Sequence, residues 1–86
     1  MKFTAEEARA IIIESISKNV GIDKMISIID AIRKQAQEGF TYLNICCNKF
    51  DIDNKFSYLI GIWAEFNGYK VTYPRDGVVT IDWKNV

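Results

Sequence analysis

Apolar residues in the first part of the chain recur at helical spacing and predict two helices. Thr4 followed by Glu7 is a capping box, which satisfies two free backbone donors and opens the first helix. Its apolar stripe, widened on both sides by Ile11 and Ile13, consists of Ala5, Ala8, Ile12 and Ile16. After a break at residues 19–21, a second helix turns one apolar face inward: Ile22, Met25, Ile26, Ile29, Ile32 and Ala36. Gly39 is well placed to end it.

Alternating residues then predict three strands. The first spans residues 40–46, the second residues 69–73 and the third residues 78–83. Between the last two, residues 74–77 combine a proline with preset φ and a glycine with free φ, which is typical of a hairpin turn. The second and third strands are therefore expected to be antiparallel neighbours.

The segment between the first two strands predicts a third helix, which Asp51 or Asp53 can cap and Gly68 ends. Its apolar residues cover more than half of the circumference: Ile52, Phe56, Leu59, Ile60, Ile62, Trp63 and Phe66. The other side carries a stripe of small residues, Ser57, Gly61 and Ala64. Because glycine inside a helix costs about 1 kcal/mol relative to alanine, a close approach of another backbone is expected there. The stripe predicts self-association into a homo-oligomer; alternatively, the helix is sandwiched between the sheet and one of the first two helices.

These elements predict a single α+β domain over residues 1–86, with two layers and the order α-α-β-α-β-β. Helices lie mainly on one face of a three-stranded sheet. The opposite face is expected to display polar residues: Tyr42, Asn44, Lys70, Thr72, Thr80 and Asp82. The residues predicted to bind a ligand or partner are Tyr42, Asn44, Lys70, Thr72 and, at the hairpin, Arg75. The alternative is a face that is simply solvated.

The charge balance and the cysteines indicate which binding partners and which cellular location to expect. The 11 basic and 11 acidic residues cancel, and without a positive field nucleic-acid and membrane-surface binding are disfavoured. The first residues resemble neither a signal peptide nor a transit sequence, and no apolar run reaches the roughly 20 residues of a membrane span. Cys46 and Cys47 point to opposite faces of a strand, so they are not expected to pair, and a cytoplasmic location is expected.

Catalytic and metal chemistry are also disfavoured. The chain has no histidine, no Gly-rich phosphate loop and no nucleophile motif, and its two cysteines are too few for a metal site. Asp51 and Asp53 are better explained as helix caps. We therefore expect a protein that is not an enzyme and has no cofactor. The rival hypothesis is a winged-helix DNA-binding regulator, in which the third helix reads DNA and the hairpin with Arg75 forms the wing. The third helix offers few residues for that role: Asn54, Lys55 and Asn67.

The second part of the chain resembles small uncharacterised proteins of tailed bacteriophages. The resemblance covers residues 25–84 and rests on the alternating first strand, the third helix and three short motifs: Ala36-x-x-Gly39, Gly68-Tyr69-Lys70-Val71 and Thr80-Ile81-Asp82-Trp83. It implies an accessory role in the host cytoplasm, in which the protein counters a host defence by binding a host protein or sequestering a nucleotide signal. The resemblance carries no catalytic residue across.

Overall fold

Three α-helices and three β-strands follow one another along residues 2–84, the part of the chain that the computed structural model describes. In chain order they are α1 (Ala5–Asn19), α2 (Ile22–Gln37), β1 (Tyr42–Cys46), α3 (Ser57–Phe66), β2 (Lys70–Arg75) and β3 (Val78–Asp82). Two short 3₁₀ turns, Cys47–Phe50 and Asn54–Phe56, lie between β1 and α3. The predicted element order is confirmed.

The predicted ends of the first two helices are also confirmed. The Thr4 hydroxyl accepts the Glu7 amide at 3.1 Å, so Thr4 is the N-cap of α1 as predicted. The predicted capping box is only half formed, because the Glu7 carboxylate accepts the Thr4 hydroxyl at 3.2 Å and one backbone donor is satisfied where two were expected. Gly21 separates α1 from α2 with a φ of 97°, and Gly39 follows α2 with a φ of 89°. Both angles are unfavourable for other residues, so glycine marks both breaks for a steric reason.

The third helix starts later than predicted. Its α-helical part begins at Ser57, and Ile52 lies in the loop between the two 3₁₀ turns, where it is nevertheless buried. Asp51 has a left-handed backbone with φ of 57°, which ends the first turn, and the Asp53 carboxylate accepts the Lys55 amide at 3.2 Å. Asp53 therefore caps a 3₁₀ turn, because the left-handed residue before it interrupts any continuous helix.

The three strands form one antiparallel sheet in the order β1-β3-β2. β3 is therefore the central strand, paired with β2 through the hairpin and with β1 through its other edge. The hairpin is tighter than predicted: Arg75 pairs with Val78, and only Asp76 and Gly77 lie in the turn. Pro74 belongs to β2, where a bulge between Thr72 and Arg75 accommodates it on an edge strand that need not donate a hydrogen bond there.

The helices cover one face of the sheet, as predicted. α2 packs on β1, α3 packs on β3 and β2, and α1 packs on α3. The side chains with almost no exposure lie between these layers: Ile28, Ile45, Cys47, Ile60, Val79 and Ile81. The alternation of β1 and β3 thus places their odd-numbered residues in the core.

The prediction for the apolar face of α2 is partly wrong. Met25 and Ile32 are buried together with Ile28, which the prediction had left out, whereas the other isoleucines of the predicted face remain exposed. These are Ile22, Ile26 and Ile29, with exposed fractions of 63%, 51% and 37%. A helix that rests on one strand buries a narrow arc of its surface, and the apolar arc of α2 is wider than that contact.

The prediction that Ser57, Gly61 and Ala64 mediate self-association is incompatible with the structure. Gly61 and Ala64 are buried inside the protomer and Ser57 is half-buried, because α3 is sandwiched between the sheet and α1. The close neighbour that Gly61 requires is the side chain of Tyr73 from β2, whose hydroxyl occupies the space of a Cβ atom. The alternative of a sandwiched helix is the correct one.

Gly61 and Tyr73 should therefore be energetically coupled. In the wild-type background, Gly61→Ala gains about 1 kcal/mol of helix propensity but displaces the Tyr73 ring, and the two effects should nearly cancel. In a Tyr73→Ser background the clash is gone, and the same substitution should stabilise the protein by about 1 kcal/mol. Urea unfolding of the four proteins of this cycle measures the coupling. Strictly additive effects would contradict the contact.

Candidate functional site

The polar side chains of the sheet form rows on the face opposite the helices. Tyr42, Asp82 and Lys70 are aligned across the three strands, and so are Asn44, Thr80 and Thr72. Because side chains at paired positions of neighbouring strands point to the same side, all six residues share this face. The prediction that they share a face is confirmed, and we refer to it as the open face.

A hydrogen bond orders the centre of the open face. The Thr80 hydroxyl on β3 donates to the Asn44 side-chain oxygen on β1, with 2.6 Å between the oxygens. Since this contact uses the carbonyl end of the amide, the NH₂ group of Asn44 remains available to donate to a ligand. Asn44 is exposed and Thr80 is half-buried, so the pair forms a fixed polar floor.

A depression of about 500 Å³ lies at the hairpin end of the open face. The residues that line it come from β1, the first 3₁₀ turn, β2 and β3. They are Asn44, Cys46, Lys49, Pro74, Arg75, Val78 and Thr80. Two predicted binding residues, Asn44 and Arg75, therefore meet in one depression. Tyr42, Lys70 and Thr72 lie outside it on the same face.

Sequence reasoning missed Lys49 and Cys46 as parts of this depression. Lys49 lies in the 3₁₀ turn that follows β1, and the pairing of Cys46 with Val78 brings that turn beside the hairpin. The even-numbered position of Cys46 on β1 was a usable signal, because it predicts the same side as Tyr42 and Asn44. No local signal places Lys49 near Arg75, since they are brought together by long-range strand pairing.

The open face and its hairpin end carry an excess of positive charge. The cations are Lys49, Lys70 and Arg75, and two carboxylates oppose them: Asp76 in the hairpin turn and Asp82, which accepts the Lys84 amide at 2.8 Å. The two ion pairs found within residues 2–84 lie elsewhere, between Arg33 and Asp30 and between Lys55 and Asp53. The three cations thus have no salt-bridge partner in the described part of the chain, and they are available to an anionic ligand.

The two cysteines occupy opposite sides of the sheet, as predicted, and both are free thiols. Cys47 is fully buried, and this burial, together with the nearby Cys46 and Asp76, raises the pKa of its thiol above the ordinary value. A buried thiol with a raised pKa carries little thiolate at neutral pH and is a poor nucleophile. Cys46 is half-buried and lines the depression.

A second depression, of about 490 Å³, lies beside the loop that leads to α3. Lys24 of α2 donates to the Asp51 carbonyl there, and Asp53 is occupied as a cap. Across residues 2–84, no group of three metal-ligating side chains comes together. The contacts of this depression tie the loop to α2 and stabilise the left-handed turn at Asp51.

The third helix lacks the chemistry of a DNA-reading helix. Within Ser57–Phe66 there is no Lys, Arg, Asn or Gln, and the exposed side chains are Tyr58, Glu65 and Phe66. A recognition helix requires hydrogen-bond donors aimed at base edges and phosphates. The fold therefore has a helix followed by a hairpin, as a winged helix does, but α3 offers DNA an aromatic and acidic surface.

Comparison with known proteins adds no functional assignment: no family model matches the chain, and no curated protein or solved structure matches it significantly. Within residues 2–84, the helices are too short or too polar to span a bilayer.

Proposed function

We propose that this protein works by non-covalent binding and that its open face sequesters a small anionic ligand of the nucleotide class. In the setting implied by the resemblance to phage accessory proteins, the ligand is a nucleotide signal of a host defence. The observation that carries the proposal is the grouping of Lys49, Arg75 and Asn44 around one depression, with Tyr42 and Lys70 on the same face.

The side chains of this surface match the parts of a nucleotide. Arg75 and Lys49 supply cations for phosphate oxygens, and the guanidinium of Arg75 can bind them in a bidentate manner. Asn44 offers its NH₂ group to an acceptor on a sugar or base. Tyr42 is 43% exposed and presents an aromatic ring on which a base can stack.

The length of the open face along β1 favours a ligand larger than a single phosphate. Tyr42 and Cys46 are four residues apart on β1, which corresponds to about 13 Å along an extended strand. A ligand that reaches from the Tyr42 ring to the hairpin cations therefore needs a base at one end and one or more phosphates at the other. Nucleoside polyphosphates and dinucleotides meet that requirement.

Titration calorimetry against a panel of nucleoside polyphosphates and dinucleotides tests the proposal. We expect at least one ligand to bind, with an affinity that falls as salt is raised, because the main contacts are ionic. Arg75→Ala should weaken binding by about tenfold or more, since a charged hydrogen bond is worth about 1.5 to 3 kcal/mol. Lys70→Ala should weaken it less. Lys34→Ala, on α2 away from the open face, is the matched control and should leave the affinity unchanged.

Two results would overturn the nucleotide hypothesis. One is the absence of any bound ligand, both in calorimetry and in native mass spectrometry of the protein taken directly from cells. The other is binding that survives Arg75→Ala and Lys70→Ala together. If no nucleotide binds but a host protein co-purifies and is lost in the same variants, the open face is a protein-binding surface.

A further inference from the structure

We infer that two copies of this chain associate through the free edge of β1, which joins their sheets into one continuous six-stranded sheet. This inference is independent of the proposed ligand. The surface for self-association is now the edge of β1, in place of the small-residue stripe of α3. Four observations on β1, β2 and α2 support this assignment.

The first observation is the hydrogen-bonding pattern of β1. The Trp83 amide donates to the Thr41 carbonyl at 2.9 Å, and the Cys47 amide donates to the Gly77 carbonyl at 2.9 Å. Both contacts obey the register of the β1–β3 pair, in which Leu43 lies opposite Ile81. Because hydrogen-bonded and non-hydrogen-bonded pairs alternate in an antiparallel ladder, the odd-numbered residues of β1 bond to β3.

The even-numbered residues therefore direct their backbone groups away from the sheet. The amide and carbonyl groups of Tyr42 and Asn44 and the amide of Cys46 face the outer edge, whereas the Cys46 carbonyl caps the following 3₁₀ turn; β1 pairs with no other strand in residues 2–84. These groups are spaced symmetrically about Asn44. A second β1 strand in antiparallel orientation would place Asn44 opposite Asn44 of the second copy and Tyr42 opposite Cys46 of that copy, which forms about four hydrogen bonds.

The second observation is that the chain protects one sheet edge and leaves the other unprotected. β2 carries Lys70, Pro74, Arg75 and a bulge, all of which hinder pairing with another strand. β1 and its flanks, residues 40–48, contain no charged residue and no proline. Identical strands in antiparallel contact therefore meet without charge repulsion on β1.

The third observation is the exposed apolar stripe of α2, the helix that covers β1. Ile22, Ile26 and Ile29 follow one another at intervals of four and three residues, so they form a single line on the helix surface. The combined surface of three isoleucines is costly to leave in water, at roughly 25 cal/mol per Å² of apolar area. An association that covers this line would recover that free energy.

The fourth observation is the direction in which the stripe points. The opposite flank of α2 is half-buried at Lys24, Ala31 and Gln35, and Lys24 contacts the loop that leads to α3. Since this loop runs from the end of β1 to α3, which covers β3 and β2, the Lys24 contact places that flank on the side of α2 toward the middle of the sheet. At 100° per residue, the isoleucine stripe lies on the other side of the buried arc, above the free edge of β1. In the joined sheet, the stripes of the two α2 helices lie next to each other over the new strand pair.

A cysteine placed at the symmetry point tests the geometry. In a hydrogen-bonded antiparallel pair the Cα atoms are about 5.5 Å apart, which lies within the range of Cα separations that a disulfide spans. Asn44→Cys, made together with Cys46→Ser, should form a covalent dimer under mild oxidation at least about tenfold faster than the matched control. The control is Thr72→Cys with Cys46→Ser, because Thr72 is an exposed residue on the same face but belongs to the protected edge.

A second variant tests association without disturbing the sheet. Light scattering should give the wild-type protein the mass of two chains, and Ile26→Lys should shift it to one chain while the circular dichroism spectrum stays unchanged. A wild-type protein that remains a single chain at about 100 μM would overturn the inference. Two copies that pair along the whole free edge of β1 should associate well below that concentration. Equal cross-linking rates for the two cysteine variants would also overturn it.

Discussion

Replacing Ile60 by alanine should lower the free energy of unfolding by about 3 to 4 kcal/mol, because the substitution removes a fully buried side chain and leaves a cavity. Ile60 lies on α3, between the sheet and α1, where neighbouring layers cannot easily collapse into the space. A chain of this length has a total stability of roughly 4 to 13 kcal/mol, so the loss would remove a large share of it. Urea unfolding monitored by circular dichroism measures the effect.

The matched control for this prediction is Ile13→Ala, which deletes the same atoms from a side chain that is 57% exposed on α1. Its effect should stay below about 1 kcal/mol, since surface substitutions away from special features are nearly neutral. A loss at Ile60 as small as the loss at Ile13 would mean that α3 does not pack between the two layers.

Replacing Gly77 by alanine should cost about 2 to 3 kcal/mol, the second large effect. Gly77 has a φ of 74°, which an alanine adopts only with strain of about 1 to 2 kcal/mol. An added Cβ atom would also overlap the Asn54 side chain at the second 3₁₀ turn. The Gly77 carbonyl accepts the Cys47 amide at 2.9 Å, so a shift of the hairpin turn would disturb the end of β1 as well.

Gly39→Ala separates the two causes of this cost. Gly39 has a comparable φ of 89°, but an added Cβ atom meets nothing within 4 Å. Gly39→Ala should therefore cost only the backbone strain, and the difference between the two variants measures the contact with Asn54. Because the turn holds Arg75 beside Lys49, Gly77→Ala should in addition weaken ligand binding, whereas Gly39→Ala should not. Equal unfolding free energies for both variants would contradict the clash.

β1 contributes Tyr42 and Asn44 to the open face and also carries the free edge of the proposed dimer. In the proposed joined sheet the two open faces would form one surface, with Tyr42 of each copy beside Cys46 of the other. The depression at the hairpin end of one copy then lies next to the aromatic ring of its partner. If both proposals are correct, a dinucleotide contacts cations of one copy and an aromatic ring of the other, and we expect ligand binding and self-association to strengthen each other.

Local physical chemistry was sufficient to predict the order of the helices and strands and the sides of the strands, although not the start of α3 or the length of the hairpin turn. The N-cap at Thr4, the glycines that follow α1 and α2, and the alternation of β1 and β3 all act within a few residues. The strand period of two was also enough to place Tyr42, Asn44, Lys70 and Thr72 on one face, because successive side chains must point to opposite sides.

Tertiary structure decided what these elements contact. Three features each join residues that are 12 or more positions apart: the position of β1 beside β3, the presence of Lys49 and Arg75 at one depression, and the placement of the Tyr73 hydroxyl against Gly61. The same holds for the split of the α2 isoleucines into buried and exposed sets. Hydrophobic periodicity shows that a helix has an apolar face, but only the packed neighbours determine how much of that face is covered, because burial depends on the whole assembly of layers.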